Sequence, residues 1–331
     1  MRIKGAGRCV RGVCFFSLMM TTFSPALALH PLITDDTGAQ GKGYLELEFG
    51  YQYDHDSFKW IDSHPESILA GELQGQSNLG RVLNRDEANT ITLTLAYGII
   101  DNFDVVIGLP YQYTKTRERR TYFSPPLQFV SLKSTTTASG LSDVITEFKW
   151  KFYEYKMLSL ALKPGIIFPV GDAYRGLGVG KPGGYGYVIA TADLTPVVMH
   201  LNLGYLRNQN ILNEREDIWH ASLAFEFWVV KDRLRLVTNF GFERNRYKWS
   251  NFQDVFVLGG IVVSPTENID IDFGFNYRFL PRVTHRPGAQ YNYPAGIATR
   301  PDYSLLGGLT MRFHTGSGDD GREKNEKEPV R

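Results

Sequence analysis

The stretch Asn268–Phe279, NIDIDFGFNYRF, alternates almost without a fault. Ile269, Ile271, Phe273, Phe275, Tyr277 and Phe279 fall on one side of an extended chain. Asp270, Asp272, Gly274, Asn276 and Arg278 fall on the other. A period of two is that of a β-strand, whose successive side chains point to opposite faces. One face wants a dry neighbour and the other wants water. The dry neighbour is either the second sheet of a soluble sandwich or lipid.

The rest of the chain favours lipid. Similar segments recur throughout: GYLELEFGYQY, NTITLTLAYG, NFDVVIGLPYQY, LSDVITEFKWKFY, LSLALKPGIIF, GYGYVIATAD, VVMHLNLGYL, IWHASLAFEFW, RLRLVTNFGFE, DVFVLGGIVV and, last, YSLLGGLTMRF ending at Phe313. With the opening stretch they make about twelve strands, each near the length a tilted strand needs to cross a bilayer. Tight connections around Asp101, Glu154, Thr195, Lys231 and Thr266 alternate with longer ones at 54–87, 114–139, 169–183, 207–216, 245–252 and 280–301. A sandwich has no reason to sort its loops by length, whereas a membrane barrel has short periplasmic turns and long extracellular loops. Aromatic residues agree. Tyr51, Tyr53, Tyr111, Tyr113, Tyr205, Trp219, Tyr277 and Tyr303 fall near one end. Tyr97, Trp150, Phe152, Phe227 and Phe313 fall near the other, as at two bilayer interfaces. The expected fold is all-β: a transmembrane antiparallel up-and-down barrel in a bacterial outer membrane. Pro110 and Pro164 interrupt two strands and predict local bends or bulges.

Bulk properties bound the remainder. The 331 residues carry a net charge of +1, without the basic surplus of a nucleic-acid binder. Arg2, Lys4, Arg8 and Arg11 precede the apolar run VCFFSLMMTTF and the small-x-small site Ala26-Leu27-Ala28, which reads as a secretory signal over 1–28. Both cysteines, Cys9 and Cys14, lie within it, so the mature chain is expected to have no disulfide or thiol chemistry. Residues 29–42 read as a periplasmic or lumenal segment, 43–313 as the barrel, and 314–331 as a disordered polar tail.

By strand phase the lumen, and with it a solute pathway, is lined by Glu46, Glu48, Glu147, Lys149, Lys151, Arg235, Glu243, Asp270, Asp272, Arg278 and Arg312. Equally, these mixed-sign residues pair across the lumen and hold the barrel together. About twelve strands lie between the filled eight-stranded barrel and the open sixteen-stranded pore. Loop 280–301 carries Pro281, Pro287 and Pro294 with Tyr291 and Tyr293, and an inward fold would place these rings at a constriction. The segment His30–Gly43 has three readings: a plug, a lead-in that helps assembly, or a cation site at His30, Asp35 and Asp36. It lacks four ligands at a recognisable spacing, and no metal or cofactor is expected. Arg117, Arg119, Arg120, Arg244, Arg246 and Lys248 form a basic extracellular cluster suited to lipopolysaccharide phosphates. His200 and His220 share the inward phase but sit at opposite ends of neighbouring strands, and no G-x-S-x-G elbow occurs, so no enzyme is expected.

The segment HPLITDDTGAQGKGYLELEFGYQY resembles the start of a family of outer-membrane proteins linked to the MetA pathway of phenol degradation. The similarity rests on His30, Asp35, Asp36, Gly38, Gly41 and Gly43, with GLPYQY at 108–113 and GLSDVITEFKW at 140–150. The resemblance implies passive uptake of small aromatic or hydrophobic solutes. The barrel itself is read as a monomer, inserted by the barrel-assembly machinery among outer-membrane lipid and lipopolysaccharide. Two alternatives stay open: a structural or surface-interaction barrel with a closed lumen, and a lipid hydrolase.

Overall fold

The computed structural model describes residues 31–62, 80–124, 128–244, 246, 253–279, 283–284, 297–298 and 301–315. Its strands are β1 (Tyr44–Asp62), β2 (Gly80–Ile100), β3 (Phe103–Ser124), β4 (Gln128–Leu141), β5 (Val144–Tyr155), β6 (Leu158–Phe168), β7 (Gly183–Leu194) and β8 (Val197–Arg207). They continue as β9 (Asp217–Val230), β10 (Leu234–Arg244), β11 (Gln253–Thr266), β12 (Ile269–Phe279), the short pair β13 (Val283–Thr284) and β14 (Ile297–Ala298), and β15 (Pro301–His314). Each strand pairs antiparallel with its neighbours, and β1 closes the ring between β15 and β2. Among the described residues, twelve barrel positions result, with β4 and β5 sharing one of them. Closure leaves the spanning ladders no free edge and pairs backbone groups that lipid could not satisfy.

The shared position is the irregular one. Lower β3 pairs with β5, Phe103 to Gly108, and upper β3 pairs with β4, Tyr111 to Ser124. Ser142 and Asp143 form the break between them. Pro110 stands opposite with no N–H to offer, and its carbonyl accepts from Ser142 N at 2.8 Å. At Pro164 the β5–β6 ladder skips from Glu147–Gly165 to Trp150–Leu162. Both prolines therefore mark interruptions in the wall.

Two expectations on connections need correction. Much of 54–87 and 114–139 is hydrogen-bonded hairpin, not loop: β1 pairs with β2 as far as Asp62–Gly80, and β3 with β4 as far as Ser124–Gln128. Apolar alternation ends where lipid ends, but a ladder in water needs no apolar face, and β-branched Thr135, Thr136 and Thr137 support it. The turn expected at Glu154 lies at Lys156–Met157, with Lys156 at φ 53°, while Glu154 still pairs with Ser159.

The polarity of the molecule is inverted relative to a soluble one. Phe49, Ile91, Ile107, Leu201, Phe240, Phe273, Phe275 and Leu305 are exposed on the outer surface, whereas Asp104, Glu147, Asn202, Asn239, Asp272 and Asn276 are buried inside. The exposed rings of Tyr51, Tyr111, Tyr113 and Trp219 border the apolar band above, and Tyr97, Trp150, Phe227 and Phe313 border it below. The opening question has its answer: the dry neighbour of β12 is lipid.

Candidate functional site

The lumen is crossed near its periplasmic end by residues 31–42. Pro31 rests on a ledge made by Gly260 and Gly274, which face each other across β11 and β12. Leu32 is buried among Ala224, Val237, Leu258 and Val262. Asn239 accepts from Ile33 N (2.9 Å) and Thr34 N (3.0 Å) and donates to Thr34 Oγ1 (2.6 Å); Thr34 donates in turn to Ser222 Oγ (2.6 Å). Asn202, its amide turned to satisfy both contacts, accepts from Asp35 N (2.6 Å) and donates to Asp35 O (2.9 Å). Thr37 N donates to Thr191 Oγ1 (3.1 Å), and the Thr37 hydroxyl bonds Ser159 Oγ. Further on, Gln40 N donates to Asp104 (2.9 Å) and Lys42 N to Asp101 (3.2 Å). Gly41 and Gly43, at φ 87° and 79°, turn the chain into β1 through backbone that other residues rarely adopt.

Charge fixes the centre of this plug. Asp35 receives Lys163 Nζ at 2.6 Å and Lys149 Nζ at 3.0 Å, and Lys149 also reaches Asp36 at 2.9 Å. Glu147, fully buried, takes Lys163 at 2.9 Å and the Tyr185 hydroxyl at 2.6 Å. Burial alone would push the Asp36 carboxyl up. Lys149 and, more weakly, His200 and the Gly38 N–H pull the other way, and the net effect holds it well below the usual carboxylate range. Both aspartates are thus engaged by lysines and backbone. Among the described residues, no group of three or more His, Cys, Asp or Glu is arranged to hold a metal ion.

A second tier runs along the wall beneath the plug. Glu46 accepts from Arg312 (2.9 Å), which also reaches Asp270 (2.9 Å); Arg235 joins Asp270 (3.4 Å) to Glu226 (2.8 Å). Glu226 meets His200 at 3.3 Å, and His200 Nδ1 lies 2.9 Å from Thr191 Oγ1. This belt crosses seven neighbouring strands, from β1 through β15, β12, β11, β10 and β9 to β8, and ends against Thr191 of β7, the residue that holds Thr37. Each charge has an opposite partner in a site shielded from water, where breaking a pair costs more than forming it gains.

Above the plug the inner wall divides into two flanks. On β5–β9, Ile145, Ala161, Ile167, Tyr185, Tyr187, Ile189, Leu206 and Ile218 form a buried apolar cluster. Tyr185 lies across Gly165, Tyr187 across Gly204 and, on β11, Phe256 across Gly241, each ring occupying the space a Cβ would need. His220 meets the Tyr187 ring edge-on at 5.6 Å and stacks near Phe256 at 6.1 Å. Residues 169–182, with a 3-10 turn at Ala173–Arg175, fold inward over this flank and bury Ala173, Leu177 and Val179. The break in the wall secures them: the Asp143 carboxylate accepts from Gly171 N (3.0 Å) and Val179 N (2.8 Å), and Ser142 Oγ donates to Leu177 O (2.7 Å). The opposite flank, on β12, β15, β1, β2 and β3, is polar and partly accessible at Glu48, Gln52, Thr90, Thr92, Thr114 and Arg278.

Of the residues singled out from strand phase, Glu46, Glu147, Lys149, Arg235, Asp270 and Arg312 belong to the plug anchor and the belt. Glu243 lies 3.4 Å from His220, and Lys151 is paired with Glu154 at 2.5 Å. Asp272 is buried, whereas Glu48 and Arg278 are half-buried on the polar flank. His30, Tyr291 and Tyr293 lie outside the described residues. The basic cluster divides. Arg117 and Arg119 continue the outward face of β3, and Arg120 lies on the inward face, paired with Glu118. Lys163 and Asn202 were missed. In LSLALKPGIIF the inward set is Ser159, Ala161, Lys163, Gly165 and Ile167, a small-residue face whose lysine is a visible signal.

Residues 34–290 match the family model described as "Putative MetA-pathway of phenol degradation". The chain belongs to this family. No curated protein matches it. Among solved structures, an outer membrane channel from Pseudomonas putida F1 is 11% identical, with 84% of this chain and 98% of that one covered and a TM-score of 0.51. A FadL homologue of Pseudomonas aeruginosa is 10% identical over 91% and 100% of the two chains, with a TM-score of 0.46. A toluene transporter of Ralstonia pickettii is 11% identical over 83% and 90%, with a TM-score of 0.44. The first likeness shows the barrel fold.

Proposed function

We propose that this chain is an outer-membrane channel for passive uptake of small aromatic solutes, with residues 31–42 as its gate. The observation that carries the reading is a barrel whose lumen is crossed by a separate segment held chiefly by polar contacts. Ordering that segment costs about 1–2 kcal/mol per residue in backbone entropy. Burial of Leu32 returns about 1.5–3 kcal/mol, so hydrogen bonds and ion pairs supply the rest and the balance is fine enough to shift. The family description supports phenolic solutes, and two unlike flanks suit them, since a phenol has an apolar ring and a polar hydroxyl. Glu48, Thr90, Thr92 and Arg278 would line the route, with Glu147, Lys149 and Lys163 exposed to it when the plug leaves.

The same reading makes residues 1–28 a removed signal. The barrel is a monomer set in outer-membrane lipid by the assembly machinery, and it conducts rather than catalyses. A closed-lumen structural barrel is the competing account, favoured by the paired belt beneath the plug.

The deciding experiment is single-channel recording of folded protein in planar bilayers, with and without phenol, beside a variant lacking residues 31–42. The channel reading expects rare small openings in the parent, large steady ones in the deletion, and partial block by phenol. Silence from a deletion variant shown to be folded and inserted would overturn it.

A further inference from the structure

The outer face of the β2–β3–β4 wall changes character above its tyrosines. Along β3 the outward positions run Ile107, Leu109, Tyr111 and Tyr113, then Lys115, Arg117 and Arg119. Next to them β2 contributes Arg85 and Glu87, and β4 contributes Lys133. The registers place Arg85 opposite Arg117, Arg119 opposite Lys133, and Glu87 opposite Lys115. Five cations and one carboxylate therefore share a patch three strands wide. Glu87 takes Arg117 at 2.9 Å and Arg85 at 3.2 Å. No ion pair of Lys115, Arg119 or Lys133 is found among the described residues.

This arrangement is costly without a partner. Like charges directly opposite on adjacent strands destabilise a sheet, and here two such pairs stand side by side. On the inward face of the same hairpin, by contrast, Arg120 has a carboxylate partner in Glu118. An anion bridging the pairs would remove the repulsion, and guanidinium groups bind phosphate oxygens through charge-assisted, often bidentate, hydrogen bonds.

Position selects the anion. The patch shares a face with Tyr111 and Tyr113, which are 51% and 42% exposed to the lipid side. Each residue advances about 3.3 Å along a strand, so Lys115 through Arg119 lie from about 7 to 20 Å along β3 beyond Tyr113. A ligand here approaches sideways, from the headgroup layer that borders the outer leaflet. We propose that Arg85, Lys115, Arg117, Arg119 and Lys133 form a binding site for the phosphate groups of the outer-leaflet glycolipid. The assignment rests on the outer-membrane reading and on these hairpins facing outward.

The test uses full-length mature protein in detergent, titrated with bisphosphorylated lipid A, with its dephosphorylated form and with phosphatidylglycerol, and read by native mass spectrometry. The combined variant Lys115→Gln, Arg117→Gln, Arg119→Gln, Lys133→Gln is measured beside the parent, and Arg120→Gln serves as the inward-face control. The parent should take up bisphosphorylated lipid A at least tenfold more tightly than either other lipid. The combined variant should lose that preference, Arg120→Gln should keep it, and Glu87→Gln should strengthen it a few-fold. Equal affinity for the dephosphorylated form, or unchanged preference in the combined variant, would overturn the site. Equal affinity for phosphatidylglycerol would overturn its assignment to the glycolipid. Retention of heat-modifiable mobility in gels checks folding. Should the combined variant misfold, the pair Arg119→Gln, Lys133→Gln carries the comparison. Conductance plays no part in the readout, so failure of the channel reading leaves this result interpretable.

Discussion

The two flanks of the lumen are built from the same alternating strands yet use their inward positions differently. On β5–β9 those positions carry Ile, Tyr, Leu and a few buried charges, and the plug and residues 169–182 fill the space before them. On β12, β15 and β1–β3 they carry Thr, Gln, Asn, Ser and acids, and several remain partly accessible. The first flank is a core that happens to lie inside a barrel, and its changes should register as stability. The second is a wall facing water, where changes should register as permeation. One barrel thus contains a folded interior and, on the proposed reading, a conduit side by side.

Asp35→Ala tests the filled flank most severely. It takes one of two carboxylates from Lys163, which is only 2% exposed, and one of the two acids bound to Lys149. Breaking a buried pair by removing one partner costs about 3–5 kcal/mol. The loss here is capped by the plug's own stability, since release of the segment lets water reach both lysines. The expected result is a barrel that still unfolds cooperatively, shows a larger conductance, and prefers anions because Lys149 and Lys163 outnumber Glu147. Unchanged conductance and thermal stability together would show that Asp35 does not hold the plug.

Gly98→Ala attacks the plug at its other end, on the conduit side. A Cβ on Gly98 would stand 1.9 Å from the Gly41 carbonyl oxygen, and neither backbone can yield without moving the chain. Overpacking of this kind costs about 1–3 kcal/mol. Openings should become more frequent than in the parent and rarer than in Asp35→Ala. Gly186→Ala, where a Cβ meets nothing within 4 Å, is the matched control and should behave as the parent.

The difference between the flanks was only half legible in the sequence. The barrel was readable because alternation reports directly on which face a residue occupies, and Ile269 to Phe279 carries that signal without a tertiary partner. Inward placement of Glu147, Lys149 and Asp270 followed from the same rule. What each inward residue meets did not follow, because Asp35 reaches Lys149 and Lys163 across 114 and 128 residues of chain and no local pattern encodes such a contact. The hairpins of β1–β2 and β3–β4 escaped for a related reason: once clear of lipid, a ladder shows neither an apolar face nor a fixed period. Pro110 was visible as an interruption. That it faces a break in the next strand, whose Asp143 then secures an inward-folded segment, required coordinates.

The mildest change separates the flanks most cleanly. Thr92→Lys places a charge on β2 well above the Gly98 seat, on a wall that is partly accessible and, among the described residues, makes no hydrogen bond to the plug at this position. Substitutions at such positions stay within about 0.5 kcal/mol, so thermal unfolding should be unchanged while the reversal potential under a salt gradient moves toward anion preference. Ser222→Lys puts the same charge on β9, where the parent hydroxyl takes the Thr34 hydrogen bond and the residue is buried. There the lysine displaces the plug and lowers stability before it alters selectivity. If the two variants changed stability and reversal potential alike, the flanks would be one environment and the distinction would fall. If only Thr92→Lys acts through permeation, the solute route runs along β12, β15 and β1–β3, and the opposite flank serves to hold the gate.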